Sequence, residues 1–439
     1  MVGALIAFWL RISGFGFEPR GVVMAAGAKN LDELAGRTGA LLVRIGMIVL
    51  MIALPVAAIY SRRLISVLMP IGAVLILLGA LQMPKHRLLG KTRQALLAPA
   101  LLAAICLLVW VGMSLAWTPV LQQAAERFGK ALATLILAFV VITYLPTQSR
   151  TSNLNLLPIG AGIAAIAAAA LVLVAPVAMP ETELHETTLE RAATGLVLVI
   201  WPALAALALR ERWALAGILA LAVAGAAIAV WTPAALAGMA VGALVVSLAT
   251  SNPRWLALLL GIAGALLFLA APAIPVIYQM IGPIPGVPLA LSKSLDVWAQ
   301  IIESDHWRLL AAYGLDSLPR GLVAGFLPPD APRSILFEIW FEHGILGAVI
   351  AALAVLATFV AAGRAPANVA PFMLAGYSCV LTIAIWGLGT LQLWWLTMVC
   401  VMAIGFSCSA KGQSRTERPS APGLALHGQA QSVSGNGAA

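Results

Sequence analysis

Charged residues are scarce in this sequence. Asp, Glu, Lys and Arg make up only 10% of its 439 residues, whereas hydrophobic residues make up 62%. A soluble globular protein carries about 25% charged residues. A chain this poor in charge cannot cover its surface for water, which excludes an ordinary soluble enzyme. We therefore expect much of the surface to face lipid.

Cysteine and histidine are also rare, with four cysteines and five histidines in the chain. Cys106, Cys379, Cys400 and Cys408 lie in or beside apolar runs and form no CxxC pair, so we expect no metal site. The formal net charge is +9, but the basic residues lie in short loops between apolar runs and form no patch interleaved with aromatics. This distribution is typical of membrane topology, and it does not favour a nucleic-acid partner.

Long apolar runs recur along almost the whole chain. A membrane-spanning helix needs about 20 predominantly apolar residues, because each residue adds about 1.5 Å against about 30 Å of hydrocarbon. The pattern predicts an all-α, polytopic membrane helix bundle of about twelve spans. These spans are placed at 41–60, 64–83, 95–116, 130–146, 156–178, 193–209, 213–231, 233–250, 255–278, 334–361, 369–388 and 391–409.

The basic loops predict the orientation of the bundle. The loop at 84–94 is strongly basic and is therefore expected to be cytoplasmic. Alternation then places the acidic loop at 181–190 and the long loop at 279–333 on the outer face, with both termini cytoplasmic. Arg62 and Arg63 also fall on the outer face, against the rule that basic residues stay inside.

The chain is predicted to have one domain flanked by two dissimilar ends. Residues 1–40 are interpreted as a partly disordered or interfacial extension, and 41–409 as the transmembrane domain. Residues 410–439 are rich in Ser, Gly, Gln and Ala, which predicts a disordered cytoplasmic tail.

The segment 279–333 is the only long external loop in this topology. Loops longer than about 15 residues are usually functional or disordered. Aromatic residues and the helical spacing of Leu295, Trp298 and Ile302 predict short helices in this loop, with one face on the membrane or on the bundle.

Basic residues on the outer face call for an explanation, because they oppose the topology rule. The planar guanidinium group of Arg suits phosphate, so the set predicts an anion-binding site. The alternative is ordinary pairing with nearby carboxylates or lipid headgroups. The set comprises Arg191, Lys293, Arg308, Arg320 and Arg333.

One segment carries a more specific pattern. Residues 332–350 read PRSILFEIWFEHGILGAVI, and 312–316 read AYGLD. The first resembles the signature of the O-antigen ligase/polymerase family, in which a His-Asn pair opens a helix that continues as Leu-Gln-x-Trp-x-Glu-x-Gly-x-x-Gly. The second resembles the Gly-Trp-Gly-Leu-Asp turn of that family, and Trp298 matches the Trp of its Arg-x-x-x-Trp element. Weaker similarity covers 114–119, 191–194 and 201–202.

The resemblance implies a glycosyltransferase-type ligase or polymerase in the bacterial inner (plasma) membrane. Such an enzyme moves a saccharide from undecaprenyl pyrophosphate to an acceptor lipid or glycan at the periplasmic face, without metal or other cofactor. The acceptor hydroxyl attacks the anomeric carbon and the lipid pyrophosphate leaves. A base near the hydroxyl contributes a factor of about 10²–10⁴, and guanidinium groups stabilise the charge on the leaving group.

The sequence departs from the family pattern at two chemical positions. The family His falls on Arg333 and the Asn on Ser334, while the family Arg falls on Ser294, beside Lys293. An arginine stays protonated and cannot act as a general base. Arg333 is therefore predicted to bind the carrier pyrophosphate, and three explanations stay open for the base. The reaction needs no strong base, the chain binds the glycan without transferring it, or the base is replaced by His306, His343 or Glu342.

Three polar residues also have structural interpretations. Glu342 lies within an apolar run, where an unpaired charge costs about 2.5–3.5 kcal/mol, so a structural pair with Arg333 or another loop arginine and a catalytic role are equal alternatives. Asp316 is expected to cap a turn, and His343 to lie half-wet at the interface.

Two rival functions remain beside the transferase. One is a non-catalytic relative that binds lipid-linked glycans in an export complex. The other is a transporter or flippase, which should carry ionisable residues near the bilayer midplane. The central spans of this sequence carry almost none.

Overall fold

The structure is a computed structural model that describes residues 36–82, 98–145, 151–178, 183–282, 288–387 and 392–411. These residues form helices and connecting turns, with no β-strand among them. The predicted all-helical class is therefore confirmed. Residues 1–35 and the tail beyond 411 lie outside the described residues, and the first helix begins at Gly36, within the predicted extension.

The first half of the chain forms helices α1 to α8. Helix α1 has a π-helical segment at Val49–Ala53. The helices are α1 (Gly36–Tyr60), α2 (Arg62–Gln82), α3 (Pro99–Met113), α4 (Leu121–Tyr144), α5 (Leu156–Ala178), α6 (Glu183–Ala208), α7 (Trp213–Ala229) and α8 (Pro233–Ala249).

The second half has short helices between long ones. The helices are α9 (Pro253–Ala270), α10 (Ala273–Ile281), α11 (Leu289–Ser304), α12 (Arg308–Ala311), α13 (Ser317–Val323), α14 (Ile335–Gly363), α15 (Ala370–Trp386) and α16 (Leu393–Lys411). The predicted loop thus contains short helices, and its side of the membrane stays a prediction.

Eight helices in the described part of the chain are long and apolar enough to cross a membrane. They are α1, α2, α3, α5, α6, α9, α14 and α16, and the apolar helices α7, α8 and α15 are shorter. Helix α4 is not among the eight. Eleven of the twelve predicted spans each coincide with one helix, whereas 255–278 runs across the end of α9 into α10. The number of helices that cross a membrane stays a prediction.

Helix α6 forms the centre of the bundle. Within its most apolar stretch 83% of the residues are buried, compared with 22% for α9 at the periphery. Small residues let the neighbouring helices approach closely, as is typical of membrane bundles. At the contact between α1 and α2, a Cβ added to Gly46 would lie 2.7 Å from the carbonyl oxygen of Gly72.

Candidate functional site: a cationic cleft

A cleft of about 620 Å³ opens where several helices begin, and cationic side chains line it. Arg63 comes from the first turn of α2, Arg127 and Lys130 from α4, Arg191 from α6 and Arg320 from α13. We call this cavity the arginine lobe. Because α2, α4 and α16 each start at it, the positive ends of their helix dipoles add to the side-chain charge.

Two further cavities adjoin the arginine lobe through shared wall residues. A cavity of about 330 Å³, the apolar-walled lobe, shares Arg127 and Gln392 with it. A cavity of about 410 Å³, the tryptophan lobe, shares Arg191, Gln392 and Trp394 with it. Arg333 lines both smaller lobes. We call the three lobes together the cationic cleft.

Among the described residues, six cationic and three anionic side chains line the cationic cleft. The cations are Arg63, Arg127, Lys130, Arg191, Arg320 and Arg333, and the anions are Glu126, Glu190 and Glu338. Glu126 pairs with Lys130 at 2.5 Å across one helical turn, and this contact lowers the pKa of the Glu126 carboxyl. The excess of guanidinium groups makes the cleft suited to a polyanionic ligand.

A buried carboxylate, Asp316, holds two of the arginines together. Its side chain is fully buried, and it accepts hydrogen bonds from Arg127 of α4 and from Nε of Arg320 at 3.5 Å. Asp316 stands at the N-cap position of α13 but makes no side-chain capping bond. The expectation that it caps a turn is therefore wrong, because its oxygens bind guanidinium groups instead.

The loop that carries Asp316 is seated on a break in α14. Gly344 has a left-handed φ of +65°, which interrupts the helix. The carbonyl of Phe341 accepts a hydrogen bond from Tyr313 N at 2.9 Å, and that of Glu342 accepts one from Gly314 N at 3.1 Å. The carbonyl of His343 accepts from Trp110 Nε1 at 3.1 Å. Because of the break, these carbonyl groups bind donors outside α14, and two of those donors are backbone N–H groups of the loop.

Glu342 supports the same loop through its side chain. Its carboxylate is buried and accepts a hydrogen bond from the backbone N–H of Leu318 at 3.0 Å. We gave an arginine partner as one alternative, and this alternative is wrong because the carboxylate points at the loop backbone. Arg333 lines the two smaller lobes instead.

Of the four predicted catalytic residues, only Arg333 lines the cationic cleft. Glu342 lies beneath the loop, and His343 is buried, with no hydrogen-bond partner for Nδ1. His343 is thus not half-wet as expected. His306 is exposed, with its ring 5.6 Å from that of Trp307. The catalytic roles of these residues stay predictions.

Of the four predicted substrate-binding residues, two meet in the arginine lobe and two do not. Arg191 and Arg320 line that lobe, whereas Lys293 is exposed on α11 and lines none of the three lobes. Arg308 is also outside the cleft. It contacts Asp305 at 3.4 Å and lies 4.8 Å from the ring centre of Tyr313. Burial and the hydrogen bond to Asp305 raise the pKa of the Tyr313 hydroxyl.

The two serines at the altered positions have structural contacts. Ser334 is the N-cap of α14 and accepts a hydrogen bond from Phe337 N at 3.3 Å. Ser294 donates to the carbonyl of Asp330 at 2.8 Å. One turn further along α11, Trp298 packs edge-on against Phe337, with ring centres 5.3 Å apart. These contacts fix the start of α14 beside the cleft.

Three cationic residues of the cleft were missed by sequence reasoning. Arg127 and Lys130 share one face of α4 with Gln123, at i, i+4 and i+7, and this spacing was the available signal. For Arg63, the signal was its predicted position on the outer face, which opposes the rule that basic residues stay inside. In the structure, Arg63 lines the arginine lobe.

No protein-family model, curated protein or solved structure matches this chain. Among the described residues, no group of three or more His, Cys, Asp or Glu side chains is placed to hold a metal ion.

Proposed function

We propose that this protein is a glycosyltransferase-type ligase or polymerase that takes a saccharide from a polyprenyl diphosphate, such as undecaprenyl pyrophosphate, and transfers it to an acceptor glycan or lipid. The observation that carries the proposal is the convergence of six cationic side chains, from five segments of the chain, on one cleft. The family resemblance of 312–316 and 332–350 supports the same reaction.

The charge of the cleft fits a diphosphate headgroup. Guanidinium groups make charge-assisted, often bidentate, hydrogen bonds to phosphate oxygens. As the bond between the sugar and the diphosphate breaks, negative charge grows on the leaving oxygen, and fixed cations stabilise it. Asp316 binds Arg127 and Arg320. The two guanidinium groups therefore need to move less when this charge develops.

An apolar wall beside the arginines fits the lipid part of the carrier. Leu318, Pro319, Leu322 and Val323 line the apolar-walled lobe together with Arg127. Val323 is 82% exposed, and Phe326, just beyond α13, is 87% exposed. Apolar residues this exposed are expected at a lipid surface, where the first isoprene units would leave the cleft.

The topology of the charges supports action at the periplasmic face of the bacterial inner membrane. Every segment that contributes a cation to the cleft is one that alternation from the basic 84–94 loop places outside. The basic residues of the cleft therefore oppose the positive-inside rule as a group, which is expected when they serve a ligand.

A second candidate function is binding of the lipid-linked glycan without transfer, as part of an export complex. The observation that favours it is that neither His306 nor His343 lines the cleft, while Arg333 occupies the family His position. The two functions share the diphosphate site and differ only in the chemical step.

A deletion strain complemented with variants tests the proposal. We expect the wild-type gene to restore the surface glycan on a blot, and Arg127→Gln combined with Arg320→Gln to fail at equal expression. Arg308→Gln is the matched control, because Arg308 lies outside the cleft, and it should restore the glycan. A glycan that is unchanged by the deletion itself would contradict transferase function.

A further inference from the structure

We propose that Glu338 is the catalytic carboxylate that accepts the proton of the acceptor hydroxyl. This inference rests on the transferase function proposed above and names the base that the sequence left open. Glu338 stands at a Gln position of the family pattern, so the resemblance does not suggest it. The case for Glu338 comes from its place in the cleft.

Glu338 lines the lobe where carrier and acceptor would meet. The residue is only 6% exposed, and it shares the apolar-walled lobe with Arg127 and Arg333. A diphosphate bound by the two arginines would lie next to the carboxylate, and Gln392 lines this lobe and the other two. A sugar attached to that diphosphate would therefore have its anomeric carbon close to Glu338.

The other carboxylates near the cleft are less suited to the task. Glu126 is exposed and paired with Lys130, and Glu190 is exposed to bulk water. Glu342 lies one helical turn beyond Glu338, but its carboxylate binds the backbone of Leu318 beneath the loop. Among the carboxylates that the structure describes, Glu338 alone combines burial with access to a lobe lined by arginine, and proton transfer is favoured where water is excluded.

The step balances without any further reactant. The oxygen of the acceptor hydroxyl forms a bond to the anomeric carbon, while the bond from that carbon to the diphosphate oxygen breaks. The bonding electron pair leaves with the diphosphate, whose charge the arginines stabilise. The hydroxyl proton passes to Glu338, and the products are the extended acceptor and the lipid diphosphate. Attack from the face opposite the leaving group inverts the anomeric centre.

Glu338→Gln separates catalysis from binding. Two quantities are measured with the full-length protein: glycan transfer in membrane vesicles from the complemented deletion strain, and binding of undecaprenyl diphosphate to the purified protein. We expect Glu338→Gln to lower the transfer rate by a factor of about 10²–10⁴ while the dissociation constant changes less than about threefold. The rising limb of the wild-type pH–rate profile should disappear in this variant. Glu303→Gln, which changes an exposed carboxylate on α11 that lines none of the three lobes, is the matched control and should transfer at close to the wild-type rate.

Each other outcome overturns a defined part of the proposal. Transfer by Glu338→Gln at close to the wild-type rate would rule out Glu338 as the base. If Glu338→Gln lost both undecaprenyl diphosphate binding and transfer, Glu338 would have a structural role instead. Absence of transfer by the wild-type protein, with binding intact, would reject the transferase function itself and leave the binding function.

Discussion

Asp316 is the residue on which the geometry of the cationic cleft depends most. Its buried carboxylate binds both Arg127 and Arg320. Arg127 lies 189 residues from Asp316 in the sequence, whereas Arg320 lies only four residues away. We expect Asp316→Asn to lower the free energy of unfolding by about 1–2 kcal/mol, because a charge-assisted contact is lost and both arginines are partly solvated. Thermal unfolding in detergent micelles measures this effect. Asp296→Asn, at an exposed position on α11, should leave the midpoint unchanged.

Glu342 offers a second test at the residue scale. Glutamine keeps an oxygen that can accept the hydrogen bond from Leu318 N, whereas leucine leaves that N–H without a partner. We expect Glu342→Leu to be less stable than Glu342→Gln by about 1–3 kcal/mol. The two variants are compared by thermal unfolding in the same detergent. Equal midpoints would show that the loop does not depend on this bond.

At the scale of elements, the break in α14 seats the loop that carries Asp316. Gly344 has φ +65°, and a Cβ there would lie 2.7 Å from the carbonyl oxygen of Leu310. We expect Gly344→Ala to destabilise the protein by at least about 1–2 kcal/mol, because the left-handed conformation and the close contact are both unfavourable for alanine. Gly217→Ala, in α7 with open space around it, should be neutral or slightly stabilising. A neutral Gly344→Ala variant would mean that α14 can run straight without displacing the loop.

Most helices could be predicted from sequence, because an apolar run of about 20 residues has few other stable arrangements. The boundary between 213–231 and 233–250 was correctly placed, since Pro233 starts α8. The interruption of α14 could not be predicted from its continuous apolar pattern. A glycine permits a break but does not require one, and here the break depends on hydrogen bonds from Tyr313, Gly314 and Trp110.

For the whole molecule, the main expectation is that the cationic cleft faces the periplasm. Ser66 lines the arginine lobe, and Asn368 is exposed beyond the far end of α14. With exposed Cys106 replaced by Ser, we expect a membrane-impermeant maleimide to label Ser66→Cys in intact spheroplasts. Asn368→Cys should be labelled only after permeabilisation. The reverse pattern would place the cleft in the cytoplasm and contradict the proposed topology.

The candidate site could be predicted only in part, because a cleft is assembled from distant segments. Of the basic residues that the charge rule selected, Arg191, Arg320 and Arg333 line the cationic cleft. It also selected Arg308, whose contacts with Asp305 and Tyr313 appear only after folding. Arg127 was missed because its partner Asp316 is remote in sequence, and helix packing alone brings the two together.

The affinity of the purified protein for undecaprenyl diphosphate tests whether the cationic cleft is a diphosphate site. Each charge-assisted hydrogen bond contributes about 1.5–3 kcal/mol, which corresponds to a factor of about 10–100 in the dissociation constant. We expect Arg127→Gln combined with Arg320→Gln to weaken binding by at least about tenfold, whereas Arg308→Gln changes it less than about twofold. Equal affinities for the wild type and the double variant would contradict the assignment of the cleft.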